Sequence, residues 1–435
     1  VAHSTRKIIT VTAMVAAALM LSACGSAGAS NPSGTVGGSI SYSFWGSPAR
    51  ADKVNTVIEL FGKAHPGTTI TGDVADYTSY VERFTVRAAG GGLSCAVGTQ
   101  STFVAPYAQK NVLRPLDDLI SGGQIDTTDI PKDVMAAGQI DGKQYILPTG
   151  TFVRLLAYNT QMIREAGAQP PTDTMTWEQY GAWLRSVQSG LPDGKWASEI
   201  EASNMFSLTS WVIGHGQKMF DGKQLGFDKA LLQEWFQFWV DLSKDGVTVP
   251  ASMIPDQVGA LELTPLATGV AAVGTRDIPQ LYTTEKTLNG AGAQTTVAEV
   301  NIPKDEGKSA NVVGVNGISI PNSCNNVATA ASFANFFAND TSAGVAFQSD
   351  NGILTNTKAQ DALVADPGTP AGVKQNVTIL KKLTEAGDLT TTTYPAGLST
   401  LTSELSRVYQ DVAFGRSSVN EAVDQFFTAA SDALK

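Results

Sequence analysis

Apolar and polar positions along this chain repeat with two periods, and the switches between them mark its elements. Residues 39–46 (Ser-Ile-Ser-Tyr-Ser-Phe-Trp-Gly) alternate with a period of two and read as a strand ending in a loop. From 51 to 64, Val54, Ile58 and Phe61 give a helix one apolar face, and His65-Pro66-Gly67 stops it. Residues 68–74 form the next strand and 77–89 the next helix, which Gly90-Gly91-Gly92 closes. A third strand is expected at 95–99, then a turn of helix and a Leu113-Arg114-Pro115-Leu116 corner within 107–119. Asp141-Gly142 is a tight turn, and 144–148 and 154–159 read as two extended pieces. The middle of the chain is helical at 177–189 and 229–244. In the latter, Leu231, Leu232, Trp235, Phe238, Trp239 and Leu242 form a stripe at helical spacing, which reads as core. Gly246 ends that helix. Residues 269–275 and 312–320 are short apolar strands; 327–337, 398–413 and 418–434 are helical. Strands alternating with helices predict an α/β fold with a largely parallel sheet.

One apolar run stands outside this pattern. Arg6 and Lys7 precede an apolar stretch from 8 to 21, the layout of a secretory leader. The stretch falls short of the ~20 apolar residues needed to span a bilayer. It ends in Leu21-Ser22-Ala23-Cys24, which resembles the bacterial lipobox; the alternative is an ordinary leader with a chance cysteine. The resemblance implies a leader at 1–23, cleavage before Cys24 and acylation of that cysteine. The protein is then expected on the outer face of the cytoplasmic membrane, held by lipid. Residues 25–34 are small and polar and cannot pack a core, so 24–38 is expected to be a flexible tether.

About 400 residues remain after the tether, more than one ordinary core accommodates, so two lobes are expected. Thirty Lys and Arg against forty Asp and Glu give a net charge of -10. Loss of Arg6 and Lys7 with the leader takes this to -12. An acidic chain without Lys/Arg clusters is a poor nucleic-acid binder, so no nucleic-acid partner is expected. With Cys24 lipidated, Cys95 and Cys324 remain, either as a disulfide or as two buried free thiols.

Catalytic signatures are sparse. Of three histidines, His3 lies in the leader, His65 in a turn and His215 in a Gly-His-Gly loop. No His-Glu-x-x-His, Gly-x-Ser-x-Gly or Walker phosphate loop occurs, and the Ser-x-x-Lys at 4–7 falls in the leader. A carboxylate pair for glycoside hydrolysis stays open, because the forty acids offer many pairs. The pattern points to binding, with no catalytic residue, cofactor or metal expected.

Several stretches together resemble the family 1 extracellular solute-binding proteins, the sugar receptors of ATP-driven importers. They are Phe44-Trp45-Gly46; Ile58-Glu59-Leu60-Phe61 with His65-Pro66-Gly67; Ala88-Ala89-Gly90-Gly91; and Tyr107-Ala108 with Leu113-Arg114-Pro115-Leu116-Asp117-Asp118-Leu119. Asp141-Gly142-Lys143-Gln144-Tyr145-Ile146-Leu147-Pro148 follows, then Tyr158-Asn159, Ala166-Gly167 and Thr176-Trp177-Glu178. Their order and spacing carry the resemblance over nearly all of the mature chain. It implies a two-lobed periplasmic-binding-protein-like fold of type II, with crossing strands and a ligand cleft between the lobes. The implied N-terminal lobe is 39–147 with 311–350, and the C-terminal lobe 148–310 with 351–435. The family usually carries Pro-Asp where this chain has Ser94-Cys95. In relatives this strand neighbours the antiparallel one expected at 312–320, which implies a Cys95–Cys324 bridge.

A sugar presents hydroxyls at its edge and C–H groups on its faces, so a receptor needs aromatic plates and paired planar polar groups. The resemblance implies contacts from Trp45 after the first strand and from Gln100, Ser101 or Thr102 after the third. It also implies Phe152 after the crossing strand, Trp211 (or a core tryptophan), and Tyr394 late in the chain. Arg276 and Asp277 end a strand and either grip vicinal hydroxyls or form a rim ion pair. Asn316 precedes Gly317, which either admits close approach of ligand or marks a bulge. The expected function is a lipid-anchored monomeric receptor that delivers a carbohydrate or polyol to an ABC-type permease. Alternatives are a surface-tethered polysaccharide hydrolase, a sensor or adhesion module, and a receptor for a polyamine, peptide or phosphodiester.

Overall fold

A computed structural model describes residues 34–257, 260–290, 295–307 and 309–435. The leader, Cys24 and the tether up to residue 33 lie outside the described residues. In chain order the strands are β1 (Gly38–Trp45), β2 (Thr68–Ala75), β3 (Ala96–Gln100), β4 (Gln139–Ile140) and β5 (Lys143–Gln144). There follow β6 (Leu147–Asn159), β7 (Trp196–Ser198), β8 (Ala271–Asp277), β9 (Val297–Val300) and β10 (Val313–Ser319). The main sheet runs β2-β1-β3-β10-β6-β8-β7, with β9 also on β6, while β4 and β5 form a separate hairpin. The fold is the expected two-lobed α/β type.

The sheet is mixed, not largely parallel. Helical crossovers make β1 parallel to β2 and β3, and β7 parallel to β8. β10 runs antiparallel to β3 and β6, and β6 antiparallel to β8 and β9. Gln144 falls in β5, while the expected piece at 154–159 and the last two residues of that at 144–148 belong to one strand, β6, of 13 residues. It is buried on both faces along most of its length, so no period of two marks it. Its first half pairs with β10 and its second with β8 and β9, so one strand runs through both lobes. Gly150 sits where segment 350–353 packs against β6: a Cβ there would lie 2.0 Å from the Asn351 carbonyl oxygen.

Two cores flank this shared strand. The first gathers Tyr42, Phe44, Phe61, Phe84 and Phe333 around β1 and β3. The second is built on Trp177, Trp235, Phe236, Trp239, Tyr409 and Phe426, so the tryptophans of the stripe are core as read from their spacing, while Phe236 is fully buried and Phe238 only partly so. The expected return to the C-terminal lobe at 351 needs correction. Ala359 and Leu363 of helix Thr357–Ala365 join the first core. Asn356 Nδ2 donates to Asn339 Oδ1 at 2.9 Å and the Thr357 N–H to the Asp129 carbonyl at 2.9 Å, tying that helix to N-terminal-lobe segments.

Cys95 and Cys324 are joined in a disulfide, with Cα atoms 4.7 Å apart. The antiparallel register that sets Val97 opposite Ser319 brings the approach to β3 beside the exit of β10. Alkylation of the unfolded, non-reduced protein is expected to label neither thiol; two labelled cysteines would contradict the bridge.

Candidate functional site

Where β1, β3 and β10 of one lobe face β6 and β8 of the other, a cleft of about 480 Å³ opens. Its floor is the β6–β10 ribbon. Phe152 and Arg154 on β6, and Val312, Gly314 and Asn316 on or beside β10, alternate along their strands and so share one face. The Phe152 ring fills the space that a side chain at 314 would occupy: a Cβ there would lie 2.2 Å from Phe152 Cζ. Gly314→Ala is therefore expected to displace the ring and to destabilise the fold by about 1–3 kcal/mol, the usual cost of overpacking. Urea melts of the two proteins measure it.

The N-terminal-lobe wall begins where β1 ends. Trp45 is only 8 % exposed, braced by Tyr77, Tyr80 and Phe103 at ring separations of 5.7, 5.4 and 6.3 Å. Beyond it Ser47 caps helix Pro48–Ala64, accepting from the Arg50 N–H, and the first turn aims Arg50 back at the cleft. Arg50 Nη1 donates to the Trp45 carbonyl at 3.1 Å, Nε to Asp350 Oδ1 at 2.7 Å and Nη2 to the Asp350 carbonyl at 2.9 Å. Lys53 Nζ reaches Asp350 Oδ2 at 2.8 Å. Tyr77, 47 % exposed, donates its hydroxyl to Gln100 Oε1 at 3.4 Å. Asn316 Nδ2 donates to the Asn351 carbonyl at 3.1 Å, while its Oδ1 has no hydrogen-bond partner.

The opposite wall is Phe206, Asp277, Gln280 and Tyr394, and Arg154 reaches it from the floor. Arg154 Nη2 donates to Asp277 Oδ2 at 3.1 Å and Nη1 to Thr275 Oγ1 at 3.2 Å, and its guanidinium lies 5.5 Å from the Phe206 ring centre. The Tyr394 ring packs 5.8 Å from Phe206, and burial pushes its phenol well above the ordinary value.

Burial alone would raise the Asp350 carboxyl, but hydrogen bonds from Arg50 and Lys53 outweigh it and hold the group below the usual range. A depressed folded value makes the contribution of Asp350 fully present above its unfolded value of about 3.9. It is lost as the pH falls through the folded value. Melts from pH 6 to pH 3 are expected to show a smaller acid loss in Asp350→Asn than in the parent.

Of the residues picked out in the sequence, the cleft brings together Trp45, Gln100, Thr102, Phe152, Asp277, Asn316 and Tyr394. Three stand elsewhere. Ser101 faces away, its Oγ accepting from the Val315 N–H at 3.2 Å, and fastens its loop to β10. Trp211 is buried among Trp177, Trp235 and Phe238, its indole N–H given to the Leu231 carbonyl at 3.3 Å. Arg276 is 4 % exposed and points into the second core, where Nη1 and Nη2 each meet a Glu199 carboxylate oxygen at 2.8 Å. Neighbours on a strand face opposite sides, so of the Arg276-Asp277 pair only Asp277 reaches the cleft. Gly317 marks a bulge: the register shifts there, and a Cβ would meet the Leu147 carbonyl oxygen, a backbone neighbour, at 2.1 Å.

Sequence reasoning missed Arg50, Tyr77, Arg154, Phe206, Gln280, Asp350 and Asn351. Arg154 was within reach, since it shares a strand face with Phe152 once 147–159 is one strand. Asp350 had no comparable signal, sitting in a turn that follows Gln348 and Ser349 at φ 54° and 55°. Among the described residues no group of three or more His, Cys, Asp or Glu is placed to hold a metal ion, and no helix is long and apolar enough to cross a membrane.

A family profile described as bacterial extracellular solute-binding protein matches residues 56–371. An extracellular solute-binding protein family 1 from Alicyclobacillus acidocaldarius is similar at a TM-score of 0.74 and 21% identity, over 92% of this chain and 99% of that one. A periplasmic oligogalacturonide binding protein from Yersinia enterocolitica is similar at 0.76 and 18%, over 91% and 99%. The GacH receptor of Streptomyces glaucescens, solved unliganded and with acarbose, is similar at 0.71 and 16%, over 92% and 99%. The matched profile covers well over half of the chain, which thus belongs to the bacterial extracellular solute-binding proteins, with family 1 members among its structural neighbours.

Proposed function

We propose that this protein is a receptor that captures an uncharged saccharide or polyol in the interlobe cleft and delivers it to an ABC-type permease made by separate chains. Acylation of Cys24 would hold it on the outer face of the membrane, and the tether would keep it near the permease. The observation that carries the reading is the make-up of the cleft. Aromatic faces from Trp45, Tyr77, Phe152 and Phe206 stand among the planar amides of Gln100, Gln280, Asn316 and Asn351. Such plates suit the C–H faces of a sugar ring, and amides that both donate and accept suit its hydroxyls.

Charge argues for a neutral ligand. The two arginines lining the cleft are each engaged by an aspartate, Arg50 by Asp350 and Arg154 by Asp277. A polyamine receptor calls for excess acid and a phosphodiester receptor for uncommitted cations. The Yersinia and Streptomyces neighbours, which bind an oligogalacturonide and acarbose, support the saccharide class, while its neutral charge rests on the paired arginines alone. A hydrolase needs one carboxyl held protonated to act as acid, whereas the ion-paired Asp350 is shifted the other way.

A thermal-shift screen of the chain from residue 39 onward tests the reading. A ligand that binds only the folded state raises Tm by mass action. A rise with one or more neutral sugars or polyols is expected. No rise across a broad carbohydrate panel, with a rise for an amine, a peptide or a phosphodiester, would overturn it.

A further inference from the structure

Behind the C-terminal-lobe wall lies a carboxylate that none of the cleft contacts explains. Glu201 is 5 % exposed and follows β7. Its Oε1 accepts the Thr275 backbone N–H at 2.7 Å, and its Oε2 accepts the hydroxyls of Ser207 at 2.7 Å and Thr275 at 2.9 Å. Arg276, the neighbouring buried cation, spends its guanidinium on Glu199, Thr264 and the Thr275 carbonyl. Glu201 is thus satisfied by two hydroxyls and one amide, all from segments that shape the cleft.

A hydroxyl has one proton to give and lone pairs to receive with. A carboxylate can only accept, so Glu201 draws the single protons of Thr275 and Ser207 toward itself. The lone pairs of Thr275 Oγ1 are left facing outward, where Arg154 Nη1 donates at 3.2 Å. Arg154 is the cleft cation that also meets Asp277 and lies against Phe206. Ser207 is the next residue after Phe206 on helix Met205–Gly214, so anchoring its hydroxyl also fixes the start of the turn that carries the Phe206 ring. One buried carboxylate thereby sets the hydroxyl that holds Arg154 and the helical turn that presents Phe206.

We infer that Glu201 is a positioning residue of the ligand cleft, acting through Thr275 on Arg154 and through Ser207 on Phe206. The inference rests on reading the cleft as the ligand site. Glu201→Gln is nearly isosteric, but its amide nitrogen donates where the carboxylate accepted. Thr275 Oγ1 then divides its lone pairs between that amide and Arg154 and no longer gives its proton to an anion; it is a poorer acceptor, and the hold on Arg154 weakens.

The test is 15N NMR of arginine-labelled protein without ligand, with the Arg154 guanidinium assigned by its loss in Arg154→Lys. Pinned on Thr275 and Asp277, Arg154 is expected to show separate, slowly rotating Nη signals in the parent. Glu201→Gln is expected to merge them into one averaged signal while the Arg276 signals stay in place. Thr275→Val, which removes the link and keeps the carboxylate, is expected to do the same. Should Glu201→Gln fail to fold, Glu201→Asp retracts the carboxylate from Thr275 and is expected to give the same merger. Separate Arg154 signals in a folded Glu201 variant would overturn the inference. So would unchanged Arg154 signals in Thr275→Val, whether or not the carboxylate variants fold. No readout here requires a sugar, so failure of this relay and failure of the carbohydrate screen are distinct results.

Discussion

Replacing Arg276 with methionine is expected to destabilise the protein by about 3–5 kcal/mol, the usual effect of removing one partner from a buried ion pair. Arg276 and Glu199 are 4 % and 2 % exposed, and the pair is bidentate at 2.8 Å on both sides. Glu199 Oε1 also accepts the Leu266 N–H at 2.8 Å, so the orphaned carboxylate stays anchored where solvent cannot reach it. Desolvation by burial works against the charged guanidinium. Attraction and hydrogen bonding from Glu199 outweigh it, and the Arg276 pKa is raised. Urea melts followed by tryptophan fluorescence measure the loss, because the second core holds Trp177, Trp211, Trp235 and Trp239. Ligand affinity of the molecules still folded is expected to change little. A contact residue would give the opposite pair of results, with stability intact and affinity lost.

The double substitution Cys95→Ser with Cys324→Ser is expected to cost about 2–5 kcal/mol. The bridge joins positions 229 residues apart. Chain entropy puts the upper bound for so long a loop at roughly 5 kcal/mol. The bond ties the entry of β3 to the exit of β10, and β10 continues into the cleft floor at Gly314 and Asn316. Comparing melts of the parent with and without reductant checks the prediction independently: reductant is expected to bring the parent to the stability of the double variant. Equal stability under both conditions would contradict it.

Much of the fold could be read in the chain because its helices carry full amphipathic stripes. Helix Lys229–Lys244 buries Leu231, Leu232, Trp235, Trp239 and Leu242 as its spacing requires. Helix Tyr77–Gly90 ends on Gly91 in the left-handed conformation, at φ 70°. What the pattern could not show is a strand with two buried faces. β6 carries no alternation, and its glycine looks like a loop until the segment at Asn351 is seen packing against it. The direction of the sheet failed for a related reason: β10 returns antiparallel from a long segment, and local periodicity carries no sign of direction.

The cleft lining was legible where a residue ends a strand, as Trp45, Gln100 and Asp277 do. Trp211 and Arg276 show the limit of that reasoning. A tryptophan on a helix buried nearly all round is drawn into a cluster of its own kind, and one step along β8 turns a side chain from cleft to core. Arg50 and Asp350 are 300 residues apart and meet only because helix Thr341–Phe347 packs beside the first helix. No local pattern records such a meeting.

In the proposed complex a saccharide sits on the β6–β10 ribbon with its face against Phe152. The measurement that bears on it most directly is a calorimetric titration of Phe152→Ala, beside the parent, with the sugar giving the largest thermal shift. Losing a stacking ring of this size corresponds to roughly 1.5–3 kcal/mol of buried apolar surface. An affinity about tenfold to a hundredfold weaker is therefore expected. An unchanged affinity in a folded Phe152→Ala would contradict it and move the ligand off the ribbon.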